Sequence, residues 1–369
     1  MTGSLDLLSG DAQLFLEKIW ASRTHLHKAD AGALTRLLSV EDADRLLTAS
    51  AIRTPAVRIA KDGAVLPQSS YTRAATISGQ SLSGLVNAEK ALTLFRDGAT
   101  IVFQGLHRYH APLTRLVAEL ELELGHPCQA NAYLTPAGSQ GFAVHADSHD
   151  VFVFQTAGVK RWEIHTGDGV EDVTMTPGRC LYLPTGTPHA ARAQETFSLH
   201  VTIGINQLTW RGLLRRTAEG VLPADEHLPA GYLDDPSALR DGLAARLREM
   251  ADRLSGIDVD AAAEQEVRRF LTSQPPRLQG GLLDSVAHLH DDTTLRRRPG
   301  RPCLVRDHGD RIELLLGDRI LTVPANVKWA VEELRSRAEV RPSDLPLDPE
   351  SRMVLCRRLL REGLLEVVR

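Results

Sequence analysis

At 369 residues with 43% hydrophobic content, the chain is too long for one ordinary core, and two or three domains are expected. The net charge of −4 excludes a global basic footprint, so nucleic-acid contact is not expected. No window approaches the roughly 18 uninterrupted apolar residues of a membrane helix, and the opening MTGSLDLLSGDAQ carries acids with no apolar run, so neither a signal peptide nor a membrane span is expected. Cys128, Cys180, Cys303 and Cys356 are scattered without a CxxC pair, which argues against a disulfide framework and a structural zinc site. A cytoplasmic protein is the expectation.

In chain order, apolar spacing near 3.6 predicts short helices over Asp11 to Trp20 and Ala33 to Leu47. Short apolar pieces broken by Gly and Pro follow between Ala56 and Ser83. Ala111 to Leu124 reads as an amphipathic helix ended by Gly125. A dense run of strand signals then occupies Gln129 to Ile205, in the pieces AVH, DVFVFQT, KRWEIH, GRCLYLP and FSLHVTIGI. Pro136-Ala137-Gly138, Ala157-Gly158, Pro177-Gly178 and Pro184-Thr185-Gly186 punctuate it as turns. Short antiparallel strands so punctuated mean a sandwich or small barrel. Helices return over Gly212 to Leu222, Ser237 to Leu254 and Val259 to Thr272, and Ser273-Gln274-Pro275-Pro276 reads as a linker. Beyond it a hairpin is expected across Gly317, from Arg311–Leu316 to Asp318–Val323, followed by helical pieces over Val327–Arg337 and Pro349–Gly363. A hairpin with small helices in so short a segment suggests a winged helix.

The chemistry concentrates in the strand-rich block. His145-Ala146-Asp147 puts an imidazole and a carboxylate two residues apart, on one face if the segment is extended. His189 follows in LYLPTGTPHAA, where Pro184 and Pro188 frame a tight turn. Two His and one carboxylate on one side of a metal leave positions open, the arrangement of non-haem Fe(II) oxygenases; Zn(II) fits the same ligands, and an HxD pair alone is also a common surface tripeptide. Lys160 lies 13 residues after Asp147, past the Ala157-Gly158 turn on the next strand. A lysine buried near a metal needs an anion, and the distal carboxylate of 2-oxoglutarate would supply one.

The block NAYLTPAGSQGFAVHADSHDVFVFQTAGVKRWEIH, with LYLPTGTPHAA and SLHVTIGINQLTW, resembles the JmjC-type ribosomal oxygenases, Fe(II)- and 2-oxoglutarate-dependent protein hydroxylases of the cupin superfamily. The resemblance implies a mainly β catalytic core, a double-stranded β-helix with flanking α-helices, over residues 1–208. It further implies a helical dimerisation segment over 209–275 and a winged-helix domain over 276–369. It assigns iron to His145, Asp147 and His189, and the co-substrate's distal carboxylate to Lys160. Asn131 and Tyr133 fall on the family's Asn-x-Tyr lining the co-substrate pocket, and Thr202 on a strand threonine beside it. Implied partners are O2, a protein or peptide substrate, and a second copy of the chain. The stripe Ala238, Leu239, Leu243, Leu247, Met250 and Leu254 is then the dimer surface.

Two positions depart from the family. Gly98-Ala99-Thr100 leads to Val102 where histidine-hydroxylating members carry a glutamine, and Gly204 replaces a serine two residues after Thr202. Both changes remove polar contacts to a substrate side chain, leaving a residue other than histidine open as the target. A cupin scaffold without turnover, and an N-methyl-lysine demethylase of the same iron chemistry, are the alternative readings. His107, Arg108 and His110 are read as a solvated loop, His149 and Asp150 as either a hydrogen-bonded support for a ligand or surface polarity, and Arg296-Arg297-Arg298 with Arg301 as structural or protein-contacting.

Overall fold

The computed structural model describes residues 3–139, 143–167, 169–222, 225–275 and 277–369. Gln140 and Gly141 of the TPAGSQG string and Pro276 of the expected linker lie outside them. The chain divides into two units: 1–207 with 277–286 and 298–301, and 208–276 with 287–297 and 302–369.

The first unit opens with α1 (Ser4–Ser9) and α2 (Ala12–Lys18), then β1 (His25–Lys28), α3 (Ala31–Thr35) and α4 (Val40–Ala49). The single helix expected over Ala33 to Leu47 is two helices. The Ser39 hydroxyl accepts the Asp42 N–H while the Asp42 carboxylate accepts the Ser39 N–H, and this capping box starts a new helix inside the apolar pattern. Next come β2 (Val57–Lys61), β3 (Ala64–Val65), β4 (Thr72–Ile77), β5 (Gln80–Val86), α5 (Ala88–Arg96), β6 (Thr100–Phe103) and α6 (Ala111–Leu124). The last is bounded as expected, with Gly125 in the left-handed region at φ 69° closing it. The core strands are β7 (Cys128–Thr135), β8 (Asp150–Thr166), β9 (Gly169–Met175), β10 (Arg179–Leu183) and β11 (His189–Ile205).

Among the described residues these strands, β4 and β5 apart, form one sheet in the order β1-β10-β8-β11-β7-β6-β2-β3, with β9 pairing β8. Alternation sorts the side chains into two apolar layers. Phe152, Phe154, Val201, Ile203, Ala130 and Ala132 face a core shared with Leu113, Leu116, Val117 and Leu120 of α6. Val151, Val153, Trp162, Ile164, Leu181 and Leu183 line the opposite, inner layer. Each large apolar side chain so buried contributes roughly 1.5–3 kcal/mol.

DVFVFQT and KRWEIH are not separate strands around a turn at Ala157-Gly158, and Lys160 does not lie on a further strand; all belong to the single strand β8. Gly158 adopts φ +67°, and a Cβ there would lie 1.8 Å from the Phe197 carbonyl oxygen. The register against β11 slips at this point, between Ala193/Ser198 and Leu199/His200. Glycine therefore makes a β-bulge in a continuous strand and not a reversal. The expected AVH strand is reduced to an isolated bridge between His145 and His189.

In the second unit, α7 (Trp210–Glu219), α8 (Ser237–Ser255) and α9 (Val259–Thr272) come first. The chain returns to the first unit for 277–286, carrying α10 (Gly281–Ser285). The rest comprises β12 (Leu295–Arg297), β13 (Leu304–Asp307), β14 (Arg311–Leu315), β15 (Ile320–Pro324), α11 (Lys328–Ser336), α12 (Pro349–Arg361) and β16 (Leu365–Val367). β13, β14 and β15 form an antiparallel sheet, and β12 pairs β16. Ile312, Leu314, Ala330, Val331, Leu334, Leu355 and Leu359 share one core. By contrast α8 buries none of its residues; Leu243 is 56% and Leu247 57% exposed. Among the described residues no helix is long and apolar enough to cross a membrane.

The arginine cluster is divided, with Arg296 and Arg297 exposed and the other two buried. Arg298 is buried with Asp284 in the first unit, Arg301 is buried, and Arg296 pairs with Glu366 across β12 and β16. The structural reading fits Arg296, Arg298 and Arg301.

Candidate metal centre

Four short backbone contacts bring the candidate ligands together. His145 N–H donates to the His189 carbonyl at 3.0 Å and His189 N–H returns a bond at 2.8 Å, so the two imidazoles leave neighbouring backbones. Gly186 N–H donates to the Asp147 carbonyl at 2.9 Å, and Thr187 N–H to Pro184 at 3.2 Å, which ties the proline-framed turn to the segment carrying the carboxylate. Beneath it sits Asp150, 1% exposed. Its carboxylate accepts the Thr185 N–H at 2.7 Å, the Thr185 hydroxyl at 2.8 Å and the Tyr182 hydroxyl. Asp150 thus holds the turn that leads into His189, and surface polarity does not describe it.

The donor atoms of His145, Asp147 and His189 all lie within 4.8 Å of one another. His189 Nε2 is 3.9 Å from Asp147 Oδ2. His145 Nδ1 is 2.9 Å from the Ala143 carbonyl, and His189 Nδ1 is 2.9 Å from the Thr187 carbonyl. A carbonyl only accepts, so both rings carry their proton on Nδ1 and present the Nε2 lone pair. Burial holds the His189 pKa below its ordinary value, which favours the neutral, ligating form. Two imidazole Nε2 atoms and a carboxylate on one side of a point are a donor set suited to a divalent transition metal with open positions opposite.

The cavity beside these residues holds about 570 Å³, including its open mouth. Lys160, Tyr133, Thr202, Thr100, Trp162 and His200 line it with the three ligand candidates. Lys160 is 3% exposed. Its Nζ donates to the Thr135 hydroxyl at 3.2 Å, and no carboxylate among the described residues pairs with it. Burial pulls its pKa down to about 7, since a desolvated ammonium is disfavoured. Tyr133 is bonded by Arg58, and burial raises its pKa.

The remaining sequence candidate behaves differently. The Asn131 side-chain oxygen accepts the Gly105 N–H at 3.0 Å, so this residue anchors the segment after β6 and is absent from the cavity lining. Sequence reasoning passed over Trp162 and His200, which a strand pattern does not distinguish from core residues. Their register opposite Ala191 and Tyr133 carries that information. Gly204 has a local cause: a Cβ there would lie 2.6 Å from His149 Nε2, so the His149 ring occupies the room a serine would take. His107 and His110 are not the solvated loop expected, since both are half-buried with backbone partners. His107 Nδ1 accepts the Ala130 N–H, and His110 Nε2 donates to the Leu37 carbonyl.

Residues 109–169 and 164–213 match the JmjC domain model. A Branchiostoma floridae protein named bifunctional lysine-specific demethylase and histidyl-hydroxylase NO66 is 31% identical over 209 residues, covering 51% of this chain and 34% of its own length. Bos taurus ribosomal oxygenase 2 is 31% identical over 219 residues, covering 51% and 47%. The chain thus spans less than half of either relative. The solved structure of YcfD, a ribosomal oxygenase from Escherichia coli, superposes with a TM-score of 0.54 at 18% identity over 97% of this chain and 98% of that one. The same protein in complex with cobalt and 2-oxoglutarate gives 0.51 at 18% identity, over 96% and 97%. At that identity the likeness is one of fold: a mainly β JmjC core of the cupin type with helices around it.

Proposed function

We propose that this chain, which carries a JmjC domain over residues 109–213, is an Fe(II)- and 2-oxoglutarate-dependent oxygenase that hydroxylates a side chain of a protein or peptide. The observation that carries the reading is Lys160. A buried ammonium without a carboxylate partner is expensive, and it lines the same cavity as His145, Asp147 and His189. A dicarboxylate that spans from a metal to Lys160 answers both features at once.

In this reading His145, Asp147 and His189 hold the iron through two Nε2 atoms and one carboxylate oxygen. When bound, iron supplies the oxidative chemistry, which turns 2-oxoglutarate and O2 into succinate, CO2 and one hydroxylated C–H. The protein's own part is placement. Lys160 and the Thr135 hydroxyl receive the distal carboxylate, Tyr133 and Thr202 flank the co-substrate, and Val151, Val153, Trp162 and Ala191 form an apolar wall that limits water at the reacting centre. Asp150 acts through the turn it holds.

The relatives named ribosomal oxygenase support a protein substrate. Val102 and Gly204 stand where histidine-hydroxylating members of the family carry a glutamine and a serine, and neither offers a polar side-chain contact, which supports a target residue other than histidine. For assembly, the exposed stripe on α8 supports a two-fold homodimer with Leu243 and Leu247 near its centre, and β13 to β15 with α11 and α12 support a winged-helix reading of the C-terminal part. The test of the catalytic reading is succinate formation from 2-oxoglutarate in the presence of Fe(II) and a protein extract. It should require O2 and disappear in His189→Ala; formation that persists in the variant contradicts the assigned centre.

A further inference from the structure

His200 lies on β11 opposite Tyr133 in register and lines the cavity with Lys160. It is 3% exposed. Its ring stacks on Tyr133 at 4.9 Å and 4° and meets Trp162 edge-on at 5.5 Å and 84°, so two aromatic neighbours fix its plane. Burial, and then the charge of Lys160, hold it neutral. Among the described residues its buried Nδ1 has no hydrogen-bond partner. A buried N–H without an acceptor is rarer than a buried lone pair left over, so the proton belongs on Nε2. Among the described residues nothing accepts it. A rigid, neutral donor therefore stands beside a buried ammonium that no carboxylate among the described residues pairs with.

We propose that His200 is a second anchor for the co-substrate's distal carboxylate, with Nε2–H donating to one oxygen while Lys160 takes the other. This rests on the reading of the cavity as a 2-oxoglutarate site. The pair suits a carboxylate better than a phosphate, since one cation and one neutral donor match a single negative charge. It also gives the aromatic stack a purpose: the planes of Tyr133 and Trp162 hold the donor in position before the ligand arrives, which limits the ordering entropy lost on binding.

The experiment is calorimetric titration of the Co(II)-loaded protein, without turnover, with 2-oxoglutarate and with 2-oxopentanoate. The second ligand keeps the chelating end and carries a methyl where the distal carboxylate was. Wild type should prefer 2-oxoglutarate. His200→Phe keeps both ring contacts and removes the donor, so 2-oxoglutarate should weaken by roughly ten- to a hundredfold, the loss of a hydrogen bond to a charged group, while 2-oxopentanoate should change little. His200→Gln, which carries an N–H at similar reach, should recover most of the preference. If the phenylalanine variant does not fold, His200→Leu takes its place in the comparison. Equal weakening of both ligands, or no change in either, overturns the proposal and returns His200 to a packing role. A wild-type protein without preference between the two ligands overturns the co-substrate reading itself, and this proposal with it.

Discussion

Replacing Lys160 with Met should weaken the protein's hold on 2-oxoglutarate and at the same time stabilise its fold. Methionine keeps most of the side-chain length and removes the charge. In the folded state burial lowers the lysine pKa from 10.5 to about 7, so at any pH where the unfolded chain is protonated folding must either desolvate an ammonium or strip its proton. The sign follows from the direction of the shift. The penalty is full below about pH 7, where both states are charged, and shrinks as pH rises towards 10.5. From those two values it is on the order of 5 kcal/mol at pH 6 and about 2 kcal/mol at pH 9. The variant also loses the bond to the Thr135 hydroxyl, worth about 1 kcal/mol. Lys160→Met should therefore be more stable than wild type at pH 6, and its advantage should fall by about 3 kcal/mol between pH 6 and pH 9. Denaturant unfolding at the two pH values, without metal or ligand, measures this. The same variant should raise the apparent KM for 2-oxoglutarate roughly tenfold or more, the loss of a charge-assisted contact. A variant destabilised equally at both pH values would mean that Lys160 has a structural partner, and the reasoning from an unpaired buried cation would fail.

Asp147→Ala and His145→Ala should each abolish 2-oxoglutarate turnover with an unfolding midpoint close to wild type, since neither side chain is buried in a core; succinate production in either variant would rule out the ligand set. Gly158→Ala should destabilise the first unit by at least about 3 kcal/mol, because it forces a Cβ into the left-handed region and against the Phe197 carbonyl, and equilibrium unfolding reads the loss. Leu243→Glu with Leu247→Glu should convert a dimer into a folded monomer, as judged by light scattering; a native protein of monomeric mass at micromolar concentration would refute the dimer.

Local signals explain what was legible in the sequence. The helix Ala111–Leu124 carries its own stop in Gly125, and the pieces of the second unit lie where periodicity put them, to within a few residues. The three ligand candidates could be singled out because HxD and the proline-framed turn are short, chemically distinctive strings. Long-range information was not available in the same way. Ala157-Gly158 has the composition of a turn, and only the close approach of Phe197 from the neighbouring strand makes it a bulge. His200 alternates like any strand residue, and its place beside Lys160 follows from register with β7 and β8. Asn131 sits on the expected strand, yet its side chain is used by Gly105, a contact 26 residues away in the chain. The role of Asp150 depends likewise on Tyr182 and Thr185, more than 30 residues on.

The central claim is that this protein places an oxygen atom from O2 on a protein or peptide side chain. It is tested most directly by incubating an extract from cells that lack the gene with the purified protein, Fe(II) and 2-oxoglutarate under heavy-isotope O2, followed by peptide mass spectrometry. The account predicts at least one peptide that gains a single heavy oxygen with the wild-type protein and not with Asp147→Ala. Identical peptide masses with the two proteins, while wild type still releases succinate, would contradict it.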